Sequence, residues 1–179
     1  MTAELALQVE NLLREHRHFR SNATLLIQIL VLPTHGYYEC WQMVRRIQAR
    51  TGLPFYIGVH GRWDAFCDVN DYFDKSTGGS IESHVEPRIT WSEVNLAQDV
   101  AEALICQMRS LQISLVVPSK TTGGDGIRHE IQMRDPEGSA SIKCSLSWSS
   151  TAPEAWRTVE VLARATISEI AKGLDVRLT

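Results

Sequence analysis

Leu111–Trp148, LQISLVVPSKTTGGDGIRHEIQMRDPEGSASIKCSLSW, is the stretch whose reading decides the fold. Upstream of it, apolar stripes at helical spacing alternate with short apolar runs; within it, three strand-like segments follow one another with no helix between them. Leu111 to Val117 is a short apolar run closed by Pro118. Ile127–Arg134 and Ser139–Trp148 alternate apolar and polar residues and flank Asp135-Pro136-Glu137-Gly138. Proline second and glycine fourth is the signature of a type I turn, so the two segments are expected to form a hairpin closed by residues 135–138. Helices before and consecutive strands after specify an α+β chain.

Working outward, residues 3–20 place Leu5, Val9, Leu12, Leu13, His16 and Phe19 on one helical stripe. Ala23 to Leu32 ends at Pro33 and is apolar enough for a central strand buried on both faces. Tyr37, Trp41, Val44 and Ile47 recur at helical spacing, which predicts a second helix over 37–50, stopped at Thr51-Gly52. Residues 53–60 read as a strand, 63–74 as a short helix and 85–91 as an edge strand carrying Pro87. Thr90-Trp91-Ser92-Glu93 fits a capping box for a helix over 93–110. A last helix over 153–172 starts near Pro153 and is stopped by Gly173, with 174–178 adding a terminal strand. The expected architecture is therefore a single α+β domain over 1–179. It is a mixed sheet of about six strands, antiparallel over 111–148, covered by four helices, with helices from the two chain ends on one face.

At 179 residues, a folded domain buries roughly 70% of its unfolded surface, so no crosslink is needed. Cys40, Cys67, Cys106 and Cys144 form no CxxC pair and read as reduced thiols, at least three of them buried. The first residues carry no basic n-region or apolar h-region, and Leu25–Leu32 is far too short to span a membrane. The reading is a soluble, cytoplasmic protein without a membrane partner. No GxGxxG and no Walker lysine occurs, so no cofactor is expected.

Charge is distributed unevenly. Residues 1–62 carry a net +3, whereas 63–102 carry −7. That acidic block, with Asp64, Asp68, Asp71, Asp74, Glu82 and Glu86, suits a protein partner with a basic surface. The preferred reading is a non-enzymatic protein-binding module with an acidic surface, comparable by charge to an inhibitor or immunity protein. A counter-cluster of Arg14, His16, Arg17, His18, Arg20, Arg45, Arg46 and Arg50 could touch phosphates if two helix ends met. The pI near 6.1 and the lack of a nucleic-acid motif argue against that partner.

The alternative reading is a small enzyme or ligand-binding protein built on three loops, 34–36, 60–68 and 119–126. In the second, His60, Asp64 and Cys67 have the residue types of thiol chemistry: base, orienting carboxylate and nucleophile. His60, Asp64, Asp68 and His84 could instead hold zinc or iron, although their spacing is not diagnostic and no metal is expected. Cys67 beside Phe66 also fits an inert core thiol. Thr34-His35-Gly36, ahead of the expected second helix, could receive an anion. Ser119–Gly126 is rich in glycine but leads into a strand and lacks a helix dipole. His129 reads as a partly exposed structural histidine, and the five tryptophans as core margins whose indole N–H finds a partner. Convergence of two or more of these loops on polar groups would favour the ligand-site reading over the acidic module.

Overall fold

The computed structural model describes residues 3–14, 23–33, 37–64, 68, 87–113, 126–134, 144–149 and 152–175. In chain order these form α1 (Ala3–Arg14), β1 (Ala23–Pro33), β2 (Tyr37–Ile47), β3 (Pro54–Asp64), β4 (Ile89–Leu96), α2 (Gln98–Arg109), β5 (Ile127–Met133) and β6 (Cys144–Ser149). A 3-10 turn (Glu154–Trp156) then leads into α3 (Arg157–Leu174). The strands form one open sheet in the order β4-β3-β2-β1-β5-β6. Every neighbouring pair is antiparallel. The α+β class and the six strands agree with the sequence reading; the mixed sheet and the fourth helix do not.

The expected helix over 37–50 is strand β2. Its five central residues, Cys40, Trp41, Gln42, Met43 and Val44, are all buried, so neither face of the strand shows the polar alternation that marks a half-exposed strand. Tyr37, Trp41, Val44 and Ile47 then mimic a helical stripe by coincidence of spacing. The capping box is also a misreading, because Thr90–Glu93 lie in β4 and the helix begins at Gln98. The expected 63–74 helix loses its first residues, Trp63 and Asp64, to β3. The expected strand over 85–91 is displaced to Ile89–Leu96. Leu111–Ile113 is not a strand, and the rest of that segment lies outside the described residues, as do 135–140 and 176–179. β5 and β6 form the predicted pairing, but Met133 faces Cys144, not the register in which Arg134 would close on Ser139.

The sheet separates two layers. On one face, Val9 and Leu13 of α1 pack on Leu30, Leu32, Tyr38, Cys40 and Trp63. On the other, α2 and α3 bury Ala101, Leu104, Ile105, Val159, Leu162 and Ile170 against Ile27, Ile29, Trp41, Met43, Ile131 and Trp148. Helices from the two chain ends thus cover opposite faces, contrary to the expectation that they share one. The C-terminal carbonyl of Leu13 is capped from below, where the buried Gln28 amide donates to it at 3.3 Å. Arg14 bridges Glu10 and Glu130, and Arg128 pairs with Glu10, tying α1 to β5.

α3 lies directly on the backbone of the sheet. A Cβ on Gly58 would stand 2.8 Å from Ile170 Cγ1, and one on Gly173 would stand 2.5 Å from Val94 Cγ2. Gly173 is therefore an internal contact residue of α3 and not its stop; the helix ends at Asp175, which takes the left-handed conformation at φ 54°.

Of the cysteines whose side chains are described, Cys40 is buried and Cys106 is exposed, the latter contrary to its apolar neighbours in sequence. Burial pushes the Cys40 thiol up to about 12. Native protein treated with iodoacetamide at pH 8 should therefore alkylate Cys106 readily and leave Cys40 unmodified until denaturant is added. Peptide mapping showing early Cys40 modification would contradict this packing.

Candidate functional site

The three loops singled out in the sequence lead off the same end of the sheet. Loop 34–36 joins Pro33 of β1 to Tyr37 of β2. Ile127, the first residue of β5 after loop 119–126, lies opposite Pro33. Asp64, where β3 runs into residues 65–68, lies opposite Tyr37. The loops themselves fall outside the described residues, apart from 60–64, 68 and 126. Because Tyr37 begins a strand, no helix N-terminus stands behind 34–36, which removes the anion-site argument made for Thr34-His35-Gly36.

One residue row inward, the register aligns six side chains across the whole sheet: Trp148, His129, Val31, Glu39, Arg62 and Thr90. Directly paired residues share a face, and Trp148 belongs to the α2–α3 core, so this row lies on the two-helix face. Behind it stand Trp41, His60 and Ser92. The His60 ring stacks on Trp41 at 3.8 Å between centroids and 15° between planes. Glu39 accepts a hydrogen bond from Trp41 Nε1 at 3.3 Å and faces His60 Nε2 at 3.5 Å. Burial alone would push the Glu39 carboxyl up, but the facing imidazole, the indole N–H and Arg62 outweigh it and leave the group below its usual range. Arg62 is exposed, with its guanidinium carbon 3.6 Å above the Tyr37 ring.

At the other end of the row, His129 stacks on Trp148 at 5.5 Å and 12°. Glu160 of α3 is buried; it accepts two bonds from Arg164, at 3.0 and 2.7 Å, and one from the Ala152 N–H at 3.2 Å. Burial and the Arg164 charge hold the His129 imidazole below its ordinary value. Among the described residues on this face, the buried Trp148 Nε1 has no hydrogen-bond partner and His129 Nδ1 has no side-chain partner, whereas His60 Nε2 is met by the Glu39 carboxylate. An unsatisfied buried group costs on the order of 1–3 kcal/mol, and such groups call for a physical reason. Trp41 and Trp63 find partners for their indole N–H, as the sequence suggested; Trp148 does not.

The remaining site expectations divide by face. Asp68 is 1% exposed and accepts from Trp63 Nε1 at 2.7 Å, the Arg88 N–H at 2.8 Å and Arg88 Nε at 2.7 Å. It is bound to Trp63 of the α1 face and ties the approach to β4 onto the end of β3, so it contributes no charge to an exposed acidic face. His60 points to the opposite face, which separates it from Asp68 as a metal-ligand pair. Of the other candidates, Asp64 is described only by its backbone, and Cys67, Asp71, Asp74, Glu82, His84 and Glu86 lie outside the described residues. In the basic cluster, Arg14 is spent on Glu10 and Glu130, and Arg45 and Arg46 are consecutive strand residues on opposite faces. The sequence reading missed Tyr37, Glu39 and Arg62. Alternation across Tyr37, Glu39 and Trp41, and across His60 and Arg62, would have exposed them had β2 been read with a period of two.

Comparison with models of protein families, with curated proteins and with solved structures returns no match to this chain.

Two predictions follow from these contacts. Burial alone would raise the Asp68 carboxyl, but the bonds from Arg88 and Trp63 hold it below the usual range. A depressed folded-state value contributes stability above the unfolded value and loses it as pH falls through the folded one. Asp68→Asn should be less stable by on the order of 1–3 kcal/mol at neutral pH, with the gap narrowing as pH drops below about 4. Urea unfolding at several pH values checks this, and a gap independent of pH would refute it. Arg164→Gln, in turn, should raise the His129 titration midpoint, because it removes one positive charge and leaves Glu160 unneutralised. The imidazole resonances report the midpoint, and an unmoved one would show that Arg164 does not act on His129.

Proposed function

We propose that this chain is a small-molecule-binding protein whose site lies on the two-helix face, at the sheet end where loops 34–36, 60–68 and 119–126 attach. The observation that carries the reading is the buried, unsatisfied Trp148 indole N–H beside the stacked His129, in the row next to the strand ends that lead into those loops. Buried polar side chains elsewhere, such as Asp68 beyond β3 and Gln28 on β1, are bonded to internal partners. A buried polar group kept without a partner calls for a physical reason, and a ligand that completes its hydrogen bonding is one.

A second reading, the acidic module for a basic protein partner, has its own support. Glu93 on β4 and Asp99 and Glu102 on α2 are exposed, and they belong to the acidic block. The burial of Asp68 takes one carboxylate from that surface.

Amide and indole NMR spectra recorded during titration with a mixed fragment library separate the two. The ligand-site reading expects shifts grouped on Tyr37, Glu39, His60, Arg62, His129 and the Trp148 indole. Shifts scattered over the surface, or none, would overturn it. A specific response confined to Glu93, Asp99 and Glu102 on adding a basic polypeptide, with the sheet end silent to fragments, would favour the acidic module.

A further inference from the structure

Resting on the ligand-site reading above, we infer that the ligand is a small uncharged hydroxyl compound, an alcohol or phenol with a hydrocarbon body, whose oxygen accepts from Trp148 Nε1 and whose hydroxyl donates to the His129 ring. Trp148 and His129 are direct partners across β6 and β5, so both rings stand on the two-helix face. They lie nearly parallel, 12° apart in plane and 5.5 Å between centroids. That spacing is about twice the roughly 2.9 Å of a hydrogen bond, so one oxygen at the edges of the two rings can reach both. Trp148 is 3% exposed, and its Nε1 has no acceptor. An indole nitrogen only donates, so the missing partner must accept.

The imidazole decides what kind of acceptor. Burial and the Arg164 charge hold it below its ordinary value, so at neutral pH the ring is uncharged and carries one N–H and one lone pair. The Ile127 backbone accepts from the ring, which leaves the lone pair to receive a proton. A carbonyl or carboxylate oxygen satisfies Trp148 and offers His129 nothing; an ammonium satisfies His129 and offers Trp148 nothing. A hydroxyl does both. Charge points the same way. The charged groups acting on His129 are Glu160 and Arg164, which neutralise each other through bonds of 3.0 and 2.7 Å, and Glu160 also takes the Ala152 N–H at 3.2 Å. Neither an anion nor a cation finds an uncommitted counter-ion there. The other surroundings of the indole are apolar: Ile131 and Leu146 form the next pair along β5 and β6, and Ala152, Trp156 and Val159 belong to the same core cluster. The body of the ligand therefore meets hydrocarbon.

The test titrates the full-length chain with cyclohexanol, cyclohexanone, cyclohexanecarboxylate and cyclohexylamine, probes of one shape that differ in the polar group. NMR follows the Trp148 indole N–H and the His129 imidazole. Cyclohexanol should shift both and bind about tenfold more tightly than cyclohexanone, the effect of one hydrogen bond, with the carboxylate and the amine weaker still. Trp148→Phe, which removes the donor and keeps a ring, should weaken cyclohexanol about tenfold. His129→Phe keeps the stacked ring at a half-buried position and removes the lone pair. It should leave cyclohexanone affinity in place and erase the preference for the alcohol. If any of the other three probes binds as well as cyclohexanol, or if His129→Phe keeps the preference, the hydroxyl inference fails while the ligand site stands. If no probe shifts the Trp148 indole, or if magnetisation transfer shows a resident water on it that saturating cyclohexanol does not displace, both fail.

Discussion

The structure depends on burying the middle of its sheet from both sides. β1 and β2 supply residues that are almost wholly enclosed, Leu26 to Leu30 and Cys40 to Val44: Leu26, Ile27, Ile29, Trp41 and Met43 join the core under α2 and α3, and Leu30 and Cys40 join the core under α1. At about 25 cal/mol per Å² of apolar surface removed from water, this two-sided burial is the largest favourable contribution available to a chain of this size. The polar groups that must accompany it are handled locally. Gln28 donates to the end of α1 and Gln42 to the Cys40 sulfur, so the buried amides are spent within the α1 layer.

That same burial set the limit on what could be read from the sequence. Elements with one wet face were legible: β5 alternates Ile127, His129, Ile131 and Met133 against Arg128, Glu130 and Gln132, and α3 shows a single stripe. β1 was recognisable because it is long, uniformly apolar and ends in proline. β2 was not, since two buried faces erase the period of two, and Arg45, Arg46 and Gln48 gave it the look of a polar helix surface. The capping box at Thr90 failed for a related reason: its residue types suit a helix start, but pairing of β4 with β3 fixes them in a strand, and local preference yields to eight cross-strand partners. The site inherited these errors. His60 and the three loops were found because strand ends and glycine-rich turns are visible in sequence. Glu39 and Arg62 were lost with β2, as their significance lies in facing one another across the β2–β3 pair.

Electrostatically, the two faces of the sheet behave differently. On the α1 face, ionised groups are matched at short range: Asp68 with Arg88, Glu10 with Arg14 and Arg128. On the two-helix face the carboxylates are matched, Glu39 by His60 and the Trp41 indole and Glu160 by Arg164, but the Trp148 indole nitrogen is left over. The first pattern fixes chain segments to the sheet. The second leaves polar capacity in a low-dielectric setting, where any partner that supplies it is held more strongly than it would be in water.

The close approach of α3 to β3 and β4 carries an implication for how this sequence can diverge. Gly58, Val94, Ile170 and Gly173 occupy a space in which no Cβ can be added without removing atoms elsewhere. In descendants of this chain these four positions should change together, a side chain gained at 58 or 173 being offset by a smaller one at 94 or 170. Gly52 is held by a different rule: nothing lies within 4 Å of its missing Cβ, but its φ of +69° restricts replacement to residues at ease in the left-handed region, such as asparagine. Drift at position 52 should therefore be independent of every other site, whereas drift at 58 cannot be.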